Sequence, residues 1–132
     1  MLRIVNTTAR PTEKGPAAQF TGDVWLDELG VTAPPARLRV HLVTFAPGAR
    51  TAWHTHPLGQ VLHVAHGVGR VQRDGEPVQE IRAGDTVYVE PGEHHWHGAA
   101  PDHTMAHLAV QEAADDGGEA AWGNHVSDAD YR

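Results

Sequence analysis

Turn signals recur along this chain too often for any long helix. Pro47-Gly48, Asp74-Gly75, Gly84-Asp85 and Pro91-Gly92 separate runs rich in β-branched residues, and 14 Gly and 9 Pro are spread over 132 residues. No segment sustains a 3.6-residue apolar period, so the pattern predicts many short strands and an all-β sandwich or barrel. Strands are expected over 24–29, 37–46, 50–56, 60–66, 68–73, 77–82, 86–90, 94–98 and 104–112, with Asp74-Gly75 as a hairpin turn. Residues 1–22 read as a polar arm with one short strand, 32–35 and 113–118 as loops, and 119–132 as a tail with a short helical turn. The length suits a single domain.

Composition narrows the function by exclusion. A formal charge of −7 with no basic stripe argues against nucleic acid as a partner. The absence of cysteine removes disulfides, zinc fingers, iron–sulfur sites and thiol catalysis. The start has no apolar core of signal-peptide length and no stretch could span a bilayer, so a soluble cytoplasmic protein without a membrane partner is expected.

The unusual count is 11 His. His54 and His56 are two apart, so in an extended strand both imidazoles leave the same face. Pro57-Leu58-Gly59 is a turn able to fold Gln60 back toward them. A second imidazole-rich segment, Gly92-Glu93-His94-His95-Trp96-His97, follows in a β-like context. Imidazole nitrogens and an amide oxygen from separate strands suit a divalent metal with open positions; manganese, iron, cobalt, nickel and zinc all accept such ligands.

These segments resemble a known family. Gly48, His54-Thr55-His56, Gln60 and Gly67 match the spacing of the first cupin motif, with Gln60 where Glu is usual. Gly84, Gly92 and His95 fall at the spacing of the second, with Glu90 where Pro is usual and Ala99 where Asn is usual. The resemblance covers residues 37–112 and implies a small jelly-roll barrel whose ligands, His54, His56, Gln60 and His95, point inward to one metal. Within the cupins, residues 51–60 and 92–99 are similar to the bacterial hydroxynitrile lyases, and Phe20-Thr21-Gly22 and Val126-Ser127-Asp128 extend the similarity to most of the chain. That subgroup implies Mn(II) and the cleavage or formation of cyanohydrins.

Replacing a carboxylate by Gln60 leaves the ligand set uncharged. A metal that keeps its full charge polarises a hydroxyl or carbonyl better and disfavours the higher oxidation states of oxygen chemistry. His97 shares the parity of His95 and is expected in the same cavity, near its ordinary pKa of about 6.5, as a catalytic acid/base. His107 and Gln111 share a strand face that looks either into the cavity or at solvent; the lyase resemblance favours the cavity and makes His107 the second acid/base candidate. His41, Val43, Thr51 and Gln111 are candidate pocket residues. His63 has the opposite parity from Gln60; His66, His94, His103 and His125 lie in turns or tails and are expected in solvent. Trp53 and Trp96 alternate away from the ligands, toward another subunit or a core between sheets, and Arg50 reads as a surface charge.

The preferred reading is therefore a metal-dependent carbon–carbon lyase acting on a cyanohydrin, or on an aldehyde plus cyanide, in a homodimer or homotetramer. The alternatives are a cupin dioxygenase and a non-catalytic small-ligand binder.

Overall fold

β-Branched and aromatic segments between Gly and Pro turns form twelve short strands in the computed structural model, which describes residues 2–132. The arm carries a 3-10 turn (Thr7–Ala9) and two short strands where one was expected, β1 (Glu13–Lys14) and β2 (Phe20–Thr21). β3 (Val24–Val31) and β4 (Leu38–Phe45) pair antiparallel. The strand expected over 50–56 is broken into β5 (Arg50–Thr51) and β6 (His54–Thr55). Its break is held from outside: the Ala52 amide donates to the Gln19 carbonyl at 2.8 Å and the Trp53 amide to the Asn124 carbonyl at 2.9 Å.

The strands expected at 60–66 and 68–73 are one strand, β7 (Gln60–Arg73). Gly67 adopts φ 81°, where a side chain is disfavoured, and a Cβ there would lie 1.9 Å from the Thr104 carbonyl oxygen. A glycine at this point lets the strand bend without ending. β8 (Gln79–Arg82), β9 (Thr86–Val89), β10 (His95–Ala99) and β11 (Met105–Glu112) follow. The expected tail holds a strand as well as its helical turn, β12 (Ala121–Trp122) and α1 (Asp128–Tyr131).

Pairing is antiparallel throughout, and β7 links two curled sheets. Its first half joins β1-β3-β4-β11 and β9; its second half joins β2-β5-β10 and β8. β6 pairs with both β10 and β12. This is the jelly roll that the cupin resemblance implies, and it fits the all-β sandwich or barrel expected from the strand pattern. Phe20, Val24, Phe45, Leu62, Val64, Ile81 and Met105 fill the space between the sheets.

A second cluster lies on the far face of β10. Trp96 is fully buried against Val126 and Tyr131, with Trp53 partly buried beside it. Trp96 is therefore a packing residue of its own chain rather than a subunit contact. Truncating a buried tryptophan costs about 3–5 kcal/mol, so this cluster fastens the C-terminal segment to the barrel. Arg50 corrects a further expectation. It is buried, donates to the Val126 carbonyl at 2.8 Å, pairs with Asp128 at 2.8 Å and lies 4.4 Å above the Tyr131 ring. A guanidinium can be buried in this way because carbonyl, carboxylate and ring face satisfy it together. His63, His66, His94, His103 and His125 are exposed. No helix among the described residues is long and apolar enough to cross a membrane.

Candidate metal centre

Three backbone carbonyls orient the imidazoles of the candidate ligands. His54 Nδ1 lies 2.9 Å from the Ala52 oxygen, His56 Nδ1 2.7 Å from the Glu119 oxygen, and His95 Nδ1 2.9 Å from the Glu93 oxygen. A carbonyl only accepts, so each ring carries its proton on Nδ1 and presents the lone pair of Nε2. The first of these carbonyls belongs to Ala52, which lies in the break between β5 and β6.

The rings converge. His54 and His95 stand on paired positions of β6 and β10 with centroids 4.3 Å apart, and His56 lies 4.9 Å from His54 and 5.5 Å from His95. Gln60, the first residue of β7, is buried and donates from Nε2 to Gln111 Oε1 at 2.6 Å. His56 Nε2, His95 Nε2 and Gln60 Oε1 are buried with no protein partner. Leaving such atoms unpaired costs about 1–3 kcal/mol each, a cost that a bound cation would offset. The donor set fits a divalent metal.

His97 and His107 form a coupled pair behind this set. His107 Nε2 and His97 Nδ1 are 2.9 Å apart, both rings are buried, and His97 Nε2 and His107 Nδ1 have no partner. His54, His95 and His97 each bring a ring nitrogen within 4.8 Å of the others, so His97 also borders the centre. What separates it from the other imidazoles is its hydrogen bond. A histidine partner both donates and accepts, so His97 can hold its proton on either nitrogen.

Burial keeps these rings neutral. His54 and His97 are held well below the usual histidine pKa, first by burial and then by neighbouring imidazoles, and burial lowers His95 and His107 to about 4. Burial also lowers His56, opposed by the Glu119 carbonyl. The expectation of a His97 pKa near its ordinary value is thereby corrected: burial disfavours the charged imidazolium. Neutral rings are the form a metal takes up. In the metal-free protein this stability is complete above the unfolded pKa of about 6.5 and is lost as pH falls toward the folded value of about 4 for His95 and His107. Each histidine contributes up to ~1.4 kcal/mol per pH unit in that window. Urea midpoints of the metal-free protein are expected to fall between pH 7 and 5; a flat profile would contradict the buried, neutral assignment.

A cavity of about 390 Å³ opens onto the centre, within the range of small-molecule sites. Each pocket residue named from the sequence lines it: His41, Val43, Thr51 and Gln111. His41 is half-buried, whereas Val43 is buried. The Thr51 hydroxyl accepts the His97 backbone N–H at 3.2 Å, and Gln111 is engaged at both ends of its amide. Phe20, Glu119 and Trp122 are among the further wall residues that were not identified from sequence. Trp122 stacks on His54 with centroids 4.5 Å apart, because β12 pairs with β6. Only the two residues Ala121-Trp122 form that strand, too short a segment to carry a periodic signal.

Comparison with known proteins agrees with this geometry. The cupin domain model matches residues 41–110. A protein named (R)-mandelonitrile lyase from Granulicella tundricola is 51% identical over 131 residues, covering 99% of each chain. Among solved structures, a cupin-like protein from Thermotoga maritima is 41% identical, with a TM-score of 0.83 over 90% of each chain. The polyketide cyclase RemF from Streptomyces resistomycificus is 19% identical, with a TM-score of 0.76 over 99% of this chain and 91% of its own, a likeness of fold alone. Motif spacing, a jelly roll converging on buried imidazoles, and a relative matched nearly end to end lead to one conclusion: this chain belongs to the cupin family.

Proposed function

We propose that the chain is a metal-dependent hydroxynitrile lyase, cleaving cyanohydrins of the mandelonitrile type to an aldehyde and HCN. The observation that carries this reading is His97, whose Nδ1 is bonded to His107 and whose Nε2 is buried, unpartnered and beside the ligand cluster. The relative named (R)-mandelonitrile lyase supports the choice of substrate. His54, His56 and His95 would hold the ion through Nε2 and Gln60 through Oε1, with Mn(II) the first candidate and Fe, Co, Ni or Zn to be tested beside it. When bound, the ion supplies Lewis acidity that lowers the pKa of a hydroxyl and favours an anion nearby.

The chain's own residues then move one proton. His97 Nε2, in the tautomer whose Nδ1–H donates to His107, accepts the hydroxyl proton of the cyanohydrin. The O–H electron pair becomes the second bond of the carbonyl, the bond to the nitrile carbon breaks, and its pair leaves on cyanide. The proton returns from the His97–His107 pair to cyanide, giving HCN and the neutral pair. In reverse, the same groups add cyanide to an aldehyde. Val43, His41, Phe20 and Trp122 would form the wall around the aryl group, with Thr51 keeping the His97 backbone in place.

Protein reconstituted with Mn(II) is expected to release benzaldehyde from mandelonitrile. No release above the metal-free control with any of the five metals would sink the proposal.

A further inference from the structure

An amide ligand has an orientation problem that a carboxylate lacks. The two ends of a glutamine side chain are nearly the same size, but the oxygen binds a cation and the NH2 repels it. Nothing in Gln60 itself selects the end that faces the centre. Its neighbours do. Gln60 Nε2 donates to Gln111 Oε1 at 2.6 Å, and Gln111 Nε2 donates to Glu119 Oε1 at 3.2 Å. An ionised carboxylate accepts only, so Glu119 obliges Gln111 to turn its NH2 outward and its oxygen toward Gln60. Gln60 must then turn its NH2 to Gln111 and its oxygen to the imidazoles.

We infer that Glu119 is the positioning residue of the metal centre, fixing through Gln111 which end of the Gln60 amide is offered to the ion. Its surroundings suit the role. Arg39 Nε lies 3.6 Å from the other carboxylate oxygen, and the Glu119 backbone carbonyl receives the Nδ1 of His56 at 2.7 Å. One residue of the C-terminal segment thus orients two of the four donors, one through its side chain and one through its backbone. Glu119→Gln removes the acceptor-only group, and the relay can then run in either sense, with the Gln60 NH2 facing the ion in one of them.

The test reads Mn(II) affinity by chelator competition. Glu119→Gln is expected to weaken binding about 10–100-fold, the usual effect of losing a group that orients a ligand. Gln111→Glu combined with Glu119→Gln is expected to restore it, because the carboxylate at position 111 accepts from both neighbouring amides. The discriminating comparison is made in a Gln60→Glu background, where both ends of the ligand are oxygen. There Glu119→Gln is expected to leave affinity unchanged or raise it, because Gln111 is then free to turn its NH2 to the carboxylate at position 60. A loss through charge or folding would persist. An equal loss in both backgrounds overturns the inference, as does wild-type affinity in Glu119→Gln or failure of the double variant to recover. The inference rests on the metal site and not on the reaction. Wild-type protein that bound no divalent ion would overturn it together with the proposed function. Affinities in the expected order with no mandelonitrile cleavage would support it while sinking the lyase reading.

Discussion

His97→Ala is expected to lower cyanohydrin cleavage by about 10²–10⁴-fold, the range for loss of a positioned general base, with metal content retained. The argument is the hydrogen bonding of the five imidazoles. His54, His56 and His95 are locked by backbone carbonyls into the tautomer that offers Nε2 to a cation. His97 is bonded to His107 instead, which leaves its proton free to change sides. A residue that moves protons needs two accessible tautomers, whereas a ligand needs one. The measurement is mandelonitrile turnover together with elemental analysis of the same sample. Loss of turnover along with the metal would make His97 a ligand, which its place in the three-histidine cluster would then explain. Unchanged turnover with metal retained would remove it from the reaction, and a protein that binds ligand and metal but never turns over would be a binding cupin.

Metal should also stabilise the fold strongly. His56 Nε2, His95 Nε2 and Gln60 Oε1 are buried without a protein partner, and a cation that pairs with all of them binds the native state only. At a free-ion concentration about 1,000 times Kd, mass action gives ~4 kcal/mol. For a chain of this size that raises the melting temperature on the order of 10 °C. Thermal unfolding with and without a chelator measures it. His95→Ala should abolish the difference, because it removes the imidazole that β10 contributes to the proposed ligand set. A chelator-insensitive melting temperature in the wild type would mean that the cluster does not take up metal under those conditions. Persistence of the full shift in His95→Ala would place the ion elsewhere.

The candidate ligands were legible in the sequence because strand parity is local. His54 and His56 are two apart, His95 and His97 are two apart, and alternation alone puts each pair on one face. The same rule placed Trp96 opposite His95 and sent His63 away from Gln60. It did not say what Trp96 would meet. Val126 and Tyr131 cover it, and they come from a segment that reads as a tail. Arg50 failed as a surface charge for the same reason, since the Val126 carbonyl, the Asp128 carboxylate and the Tyr131 ring that cover it come from that segment. The burial of Arg50 depends mainly on partners far from it in sequence.

The identities that could hold a metal, three histidines and an unusual glutamine at cupin spacing, were thus determined by the sequence itself. The tertiary structure decided which atom of each would be offered. That choice rests on single hydrogen bonds: Ala52 and Glu93 close to their histidines in sequence, but Glu119 far from both His56 and Gln60. A side chain's tautomer or amide orientation follows from where its second polar atom is held, and that partner is brought in by folding. Gln60 is legible as the neutral departure from the family pattern. Only the folded C-terminal segment gives that neutral group a direction.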